Sequence, residues 1–102
     1  MPLKTRFVWD DVKRESNLRK HGLDFLDAAW VLDSPYRLDV ESPRDSDDRI
    51  QSFAYVFEVL TVLTVVHQDR DRSVRIISFR PASTVEREVY HEWLENHFDD
   101  PR

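Results

Sequence analysis

Polar and apolar positions near the start of the chain predict a short strand followed by two short helices. Residues 6–9 are typical of a strand, and Asp10 is a good N-cap for a helix over residues 11–21. Gly22 is the single glycine of the chain and fits the left-handed position that ends such a helix. Asp24 can cap a second helix, because apolar residues recur after it at helical spacing, namely Phe25, Ala28, Ala29 and Leu32.

The middle of the chain is rich in β-branched and aromatic residues, a pattern that predicts strands. Their connections are an acidic loop with proline and serine at 41–48, a turn near Glu58 and a charged hairpin loop at 68–73. Between these connections we place a mainly antiparallel meander of four strands, at residues 36–40, 49–57, 59–67 and 74–80.

The end of the chain predicts one more helix. Ser83 and Glu86 have the spacing of a capping box, and apolar residues follow at Val85, Val89, Trp93 and Leu94. The sequence thus predicts an α+β fold, in which N-terminal helices and a C-terminal helix pack on a small, mainly antiparallel sheet. At 102 residues, we expect a single domain over 1–102 with its core at about 7–98.

Composition narrows the function classes. The chain has no cysteine, which excludes disulfides and thiolate catalysis and fits a reducing cytoplasm. It has no apolar run of membrane-spanning length and no signal-peptide pattern, so we expect a cytoplasmic protein without membrane contact. A net charge of −5 argues against indiscriminate nucleic-acid binding. Basic residues nevertheless dominate 1–22, whereas acidic residues dominate 24–48 and 86–102.

Two arginines on the last predicted strand are candidate phosphate ligands. Arginine holds phosphate with a planar, bidentate fork and stays charged at any working pH. Arg75 and Arg80 are an odd number of residues apart, so a regular strand would point them to opposite faces unless a bulge redirects one. Pro81 ends the ladder and leaves Arg80 freedom to turn, so Arg80 is the preferred ligand and Arg75 the second. The alternative is an edge arginine paired with a nearby carboxylate.

Histidine supplies the candidate acid or base. His21 lies beside Lys20 at the end of the first helix, where both can approach a phosphate. The alternative is that His21 only caps the last helical carbonyls. No two histidines have the spacing of metal ligands on a helix or strand, so we expect no metal site and no cofactor. His67 ends a predicted strand, and the sequence does not show which face of the sheet its side chain occupies.

Three further residues are candidate RNA contacts. Arg70 and Arg72 lie on the predicted hairpin loop and can position the backbone of a substrate, or they form a solvated loop tip. Tyr90 on the final helix can stack on a base or supply a hydroxyl. The favoured alternative for Tyr90 is a half-buried core residue.

Two separated motifs resemble one known family. The first runs from Phe7 through Trp9-Asp10, Lys13, Asn17 and Lys20-His21-Gly22 to Phe25 and Ala28, and the second is Arg75-Ile76-Ile77-Ser78-x-Arg80-x-Ala82-Ser83-x-x-Glu86-Arg87. Together they resemble the BrnT family, the toxin half of a bacterial type II toxin–antitoxin pair, over roughly residues 7–90. The resemblance implies a RelE-like fold, endoribonuclease activity, and a partner antitoxin of the BrnA type.

The resemblance makes RNA the expected substrate and a DNA-binding antitoxin of the ribbon-helix-helix type the expected partner. Contact with DNA would then be indirect, through the antitoxin complex. Cleavage is expected to be metal-independent, with the ribose 2′-hydroxyl attacking its own phosphodiester. The competing hypothesis is a non-catalytic binding module that complexes the antitoxin and modulates its transcriptional repression.

Overall fold

The computed structural model describes residues 5–42 and 48–98 and shows an α+β fold. One five-stranded sheet has the order β1-β5-β4-β3-β2, and β1 pairs with β5 in parallel while the other pairs are antiparallel. The strands are β1 Arg6–Val8, β2 Leu38–Glu41, β3 Arg49–Val56, β4 Thr61–Asp69 and β5 Ser73–Pro81. The helices are α1 Asp11–His21, α2 Ala29–Leu32 and α3 Thr84–Phe98, with a 3-10 turn at Phe25–Asp27.

The first predicted helix is confirmed together with both of its ends. The carboxylate of Asp10 accepts hydrogen bonds from the backbone N–H groups of Val12 and Lys13 at 2.8 and 3.2 Å. Gly22 ends α1 with a φ of 72°, a conformation that favours glycine. None of the described helices is long and apolar enough to cross a membrane.

The prediction of one continuous second helix is wrong, because the structure has a 3-10 turn followed by a separate short helix. Asp24 caps only the 3-10 turn, where its carboxylate accepts from the N–H of Leu26 at 3.0 Å, and α2 begins later.

The turn between β3 and β4 is confirmed near Glu58, and Leu60 supplies a positive φ of 56° in place of a glycine. Of the predicted acidic loop, residues 43–47 lie outside the described residues. The predicted loop at 68–73 is shorter, because β4 continues to Asp69.

Both faces of the sheet carry apolar clusters. On one face, Phe25, Val31, Leu63 and Phe79 belong to a core formed with α2 and the 3-10 turn. On the other face, α3 packs through Tyr90, which is 1% exposed. The predicted apolar face of α3 is therefore partly wrong, because its first two apolar residues are exposed, namely Val85 and Val89.

A bulge in β5 decides which side chains share a face. The pairing steps from Val66–Ser78 to His67–Ile76, so Ile77 is an extra residue in β5. Cross-strand partners lie on the same face, and Arg75 and Arg80 oppose β4 residues that are four apart, Gln68 and Thr64. The bulge therefore turns both arginines to the face that α3 covers in part.

Asn17 fixes α1 against β5. Beyond Val8, the outer edge of β5 no longer has a strand partner in the described sheet. The Asn17 side chain takes that place, since its amide donates to the Phe79 carbonyl at 2.7 Å and accepts from the Phe79 N–H at 3.1 Å. The same amide donates to the Leu23 carbonyl at 3.1 Å. A polar residue is thus the buried residue of α1, and it holds the helix beside the bulge.

Candidate active site

A cleft of about 420 Å³ lies where α1 meets the bulged part of β5. It brings together three residues that the sequence singled out from distant positions: Lys20, His21 and Arg80. We call it the α1–β5 cleft; its remaining lining residues in the described chain are Lys13, Ser16, Asn17, Ile77 and Ser78. Three of these eight side chains are cationic and none is a carboxylate, which suits a phosphate group.

His21 is set up as a neutral imidazole. It is half-buried at the end of α1, and burial lowers its pKa from the usual 6.5. The positive charges of Lys20 and Arg80 lower the same pKa further. A neutral histidine between two cations can accept a proton near neutral pH, which is the requirement for a general base.

Arg80 lines the cleft and is also paired with the carboxylate of Glu86. Its two Nη groups lie 2.7 and 2.9 Å from the carboxylate oxygens of Glu86. Glu86 also accepts from Thr64 at 3.1 Å and from the N–H of Ser83 at 2.9 Å. The hydrogen bond from Arg80 is the largest of the causes that lower the pKa of Glu86 to about 2. The alternative considered from the sequence, an arginine paired with a nearby carboxylate, therefore also applies to Arg80.

The capping box accounts for this geometry. Ser83 accepts from the N–H of Glu86 at 3.1 Å while Glu86 accepts from Ser83, as the spacing predicts. The start of α3 is thereby fixed next to the end of β5. Glu86 consequently anchors the Arg80 guanidinium at the rim of the cleft, and binding a phosphate with both Nη groups would require Arg80 to leave Glu86.

The other predicted arginines lie outside the α1–β5 cleft. Arg75 is exposed on the same sheet face as Arg80, five positions earlier in β5. Arg70 and Arg72 are exposed in the hairpin between β4 and β5, where Arg70 donates its backbone N–H to Ser73. None of these three arginines lines the α1–β5 cleft.

Tyr90 is a core residue, so its prediction as an RNA contact is corrected. Its hydroxyl donates to the Tyr36 carbonyl at 2.8 Å and accepts from the N–H of Tyr55 at 3.3 Å. With its ring buried and its hydroxyl occupied, Tyr90 has neither an open face for a base nor a free hydroxyl. It ties α3 to the residues around β2 and β3.

His67 faces away from the cleft. Its ring lies 2.7 Å from the Ser52 hydroxyl on one side and 2.7 Å from the Asp69 carboxylate on the other. Ser52 in turn donates to Asp39 at 2.6 Å. Burial raises the pKa of Asp39, but hydrogen bonds from Arg37 and Ser52 outweigh it and hold the pKa below its usual value. Ser52 is fully buried, so this arrangement resembles a catalytic triad in spacing only.

The sequence analysis assigned no role to several lining residues of the α1–β5 cleft. Lys13, Ser16 and Asn17 follow the i, i+3, i+4 spacing of a single helix face, which Lys20, already identified from the sequence, continues at i+7. A search for polar rather than apolar periodicity in α1 would have found them. The contribution of Ser78 depends on the bulge and had no such signal. In the described part of the chain, no group of three or more His, Asp or Glu side chains is placed to hold a metal ion.

Comparison with known families supplies the deciding observation. Residues 9–86 match the family model described as "Ribonuclease toxin, BrnT, of type II toxin-antitoxin system". The chain belongs to the BrnT toxin family. It is the toxin component of a type II toxin–antitoxin system, in a family described as ribonucleases. The matched range contains every lining residue of the α1–β5 cleft. A search of curated proteins finds no match.

Proposed function

We propose that this BrnT toxin cleaves RNA in the α1–β5 cleft without a metal ion, by attack of a ribose 2′-hydroxyl on the adjacent phosphodiester. The observation that carries the proposal is the juxtaposition in one cleft of His21, whose pKa is lowered, with Lys20 and Arg80. A ribonuclease with these groups has a base, cations for the phosphate, and no need of a carboxylate-bound metal.

Each step can be assigned to a group in the cleft. His21 removes the proton of the 2′-hydroxyl, and the 2′ oxygen forms a bond to phosphorus while the bond to the 5′ oxygen breaks. The leaving 5′ oxygen takes a proton from Lys20 or from water. Arg80 and Lys13 stabilise the negative charge on the phosphoryl oxygens, which is greatest in the transition state. The products are a 2′,3′-cyclic phosphate and a 5′-hydroxyl.

We further propose that the partner is a BrnA-like antitoxin of the ribbon-helix-helix type and that the pair acts in the cytoplasm. An antitoxin that covers Arg80 and the Lys20–His21 corner would exclude RNA and neutralise the toxin. DNA would be contacted only through the antitoxin. Arg75, Arg70 and Arg72 are proposed to hold the RNA backbone on either side of the scissile phosphate.

A non-catalytic binding module is the second candidate. The Arg80–Glu86 pair favours it, because an arginine that never leaves its carboxylate holds α3 in place and binds no phosphate. In that case the task of the chain is to complex the DNA-binding antitoxin and adjust its repression.

A substrate with blocked 2′ oxygens separates the two candidates. We expect the purified protein to cleave an unmodified RNA and to leave the same sequence with 2′-O-methyl riboses intact, because the methyl group removes the attacking hydroxyl. Both strands should bind with similar affinity, since the phosphates are unchanged. The measurement is gel analysis of end-labelled strands together with a binding titration. Cleavage of the methylated strand would contradict 2′-hydroxyl attack, and cleavage of neither strand would favour the binding module.

A further inference from the structure

A second, larger concavity lies apart from the cleft and is apolar. It measures about 660 Å³ and runs between α2, the segment that follows it, the end of β3 and the middle of α3. We call it the aromatic groove; its walls include Trp30, Tyr36, Tyr55, Phe57 and Leu94. It shares no lining residue with the α1–β5 cleft.

The aromatic groove exists because β2 is short. The pairing of β2 with β3 ends at Leu38–Phe53, so the last residues of β3 have no strand partner on that side. Tyr90 occupies part of this edge through its hydroxyl, and the rest opens into the groove. Two large aromatic side chains remain at the surface there, with Phe57 77% and Tyr36 51% exposed.

Two aromatic side chains of the groove contact each other. The rings of Tyr55 and Phe57 meet edge to face, with centroids 5.1 Å apart and an interplanar angle of 84°. Aromatic side chains lose little conformational entropy on binding because they have few rotatable bonds, and Trp and Tyr are enriched among the residues that carry most of the binding energy of protein interfaces. These properties favour a protein partner that inserts apolar side chains.

The charge of the groove disfavours RNA. Its described lining residues include Glu58 and no lysine or arginine, whereas affinity for RNA depends mainly on cations that neutralise phosphates. In α3, the acidic residue Glu95 directly follows the lining residue Leu94. A complementary partner therefore presents large apolar side chains with lysine or arginine beside them.

We propose that the aromatic groove is the docking site of the antitoxin, which places an amphipathic segment with large apolar side chains against Phe57 and basic residues towards Glu58 and α3. This inference rests on the antitoxin partnership of the proposed function. Since groove and cleft are separate, the antitoxin is anchored at the groove while another part of it covers the cleft. Affinity and inhibition are then carried by different surfaces of the toxin.

Replacing Phe57 tests the docking site, with Leu26 as the matched control. Leu26 is 59% exposed and lines neither concavity, so Leu26→Ser removes a comparable exposed apolar side chain elsewhere. Against the purified antitoxin encoded beside this gene, Phe57→Ser should weaken binding by about 30-fold or more, as expected for an interface hot spot, while Leu26→Ser should not. RNA cleavage by the free toxin should be unchanged in both variants.

Several outcomes would support or overturn the proposed docking site. Equal antitoxin binding by Phe57→Ser and wild type would overturn the docking site and leave the ribonuclease proposal standing. If the wild type does not bind the antitoxin, the docking site fails together with the partnership, while RNA cleavage still decides the enzyme assignment. Hydrogen exchange should show protection of residues 30–36 and 55–58 in the complex, and protection only around residues 13–21 would overturn the proposal. Self-association that Phe57→Ser abolishes would assign the groove to a second copy instead.

Discussion

Replacing Arg80 with alanine should lower the rate of RNA cleavage about 100- to 1,000-fold, the usual loss when one donor to a developing oxyanion is removed. The variant should also be less stable by about 1–3 kcal/mol, because the carboxylate of Glu86 loses its bidentate partner. Arg80→Lys should rescue cleavage poorly, since an ammonium group offers a point charge in place of a fork. The measurements are single-turnover cleavage well below the melting temperature and denaturant unfolding.

Arg37 offers a closely matched control for the loss of stability. It pairs with Asp39 through two contacts of 2.7 and 2.9 Å, the distances that Arg80 makes with Glu86. The two arginine side chains are 27% and 26% exposed. Their carboxylate partners differ, with Asp39 44% and Glu86 17% exposed. Arg37→Ala should therefore also destabilise the fold, while leaving cleavage intact. Equal loss of cleavage in both variants would make Arg80 a structural arginine.

Replacing His21 with glutamine should lower cleavage about 100- to 10,000-fold, the contribution typical of a positioned general base. The wild-type rate should be independent of pH near 7, because the lowered pKa of His21 keeps its imidazole neutral there. As the pH falls through that pKa, which lies below 6.5, the base becomes protonated and the rate should fall about tenfold per pH unit. The glutamine variant should lack this acidic limb.

A pH profile of single-turnover cleavage checks the assignment. Lys20→Gln is a useful companion variant, because the charge of Lys20 lowers the pKa of His21. Removing that charge should move the acidic limb to higher pH. An acidic limb that persists unchanged in His21→Gln would assign the titrating base to a different residue.

The strand and helix pattern was largely predictable because it depends on local chemistry. Asp10, Gly22 and the pair Ser83–Glu86 define helix ends through hydrogen bonds within a few residues, and the structure contains all of them. The split of the second predicted helix was not predictable from apolar spacing. A 3-10 turn and a short α-helix bury the same apolar residues, and tertiary packing decides between them.

The α1–β5 cleft was predictable only in part, since it depends on one irregular residue. Lys20, His21 and Arg80 were identified from residue type and position, and the structure brings them together. The expectation that Arg75 and Arg80 face opposite sides assumed a regular strand, and the bulge at Ile77 reverses it. Sequence alternation cannot show a bulge, because the extra residue is an ordinary β-branched side chain.

The role of Asn17 was equally hidden. An asparagine within a predicted helix suggests an exposed side chain, and its pairing with the backbone of Phe79 spans 62 positions of the chain. Tyr90 illustrates the opposite case, because either a core position or an RNA contact fitted the sequence. The two hydrogen bonds of its hydroxyl decide for the core.

Product analysis in the presence of excess chelator tests the central claim most directly. The purified toxin is incubated with a single-stranded RNA at neutral pH with excess EDTA, and the new ends are identified by mass spectrometry. Cleavage by His21 and Arg80 in the α1–β5 cleft predicts undiminished activity, a 2′,3′-cyclic phosphate and a 5′-hydroxyl. Activity that is lost with EDTA and restored by a divalent metal, or products with a 5′-phosphate, would contradict it.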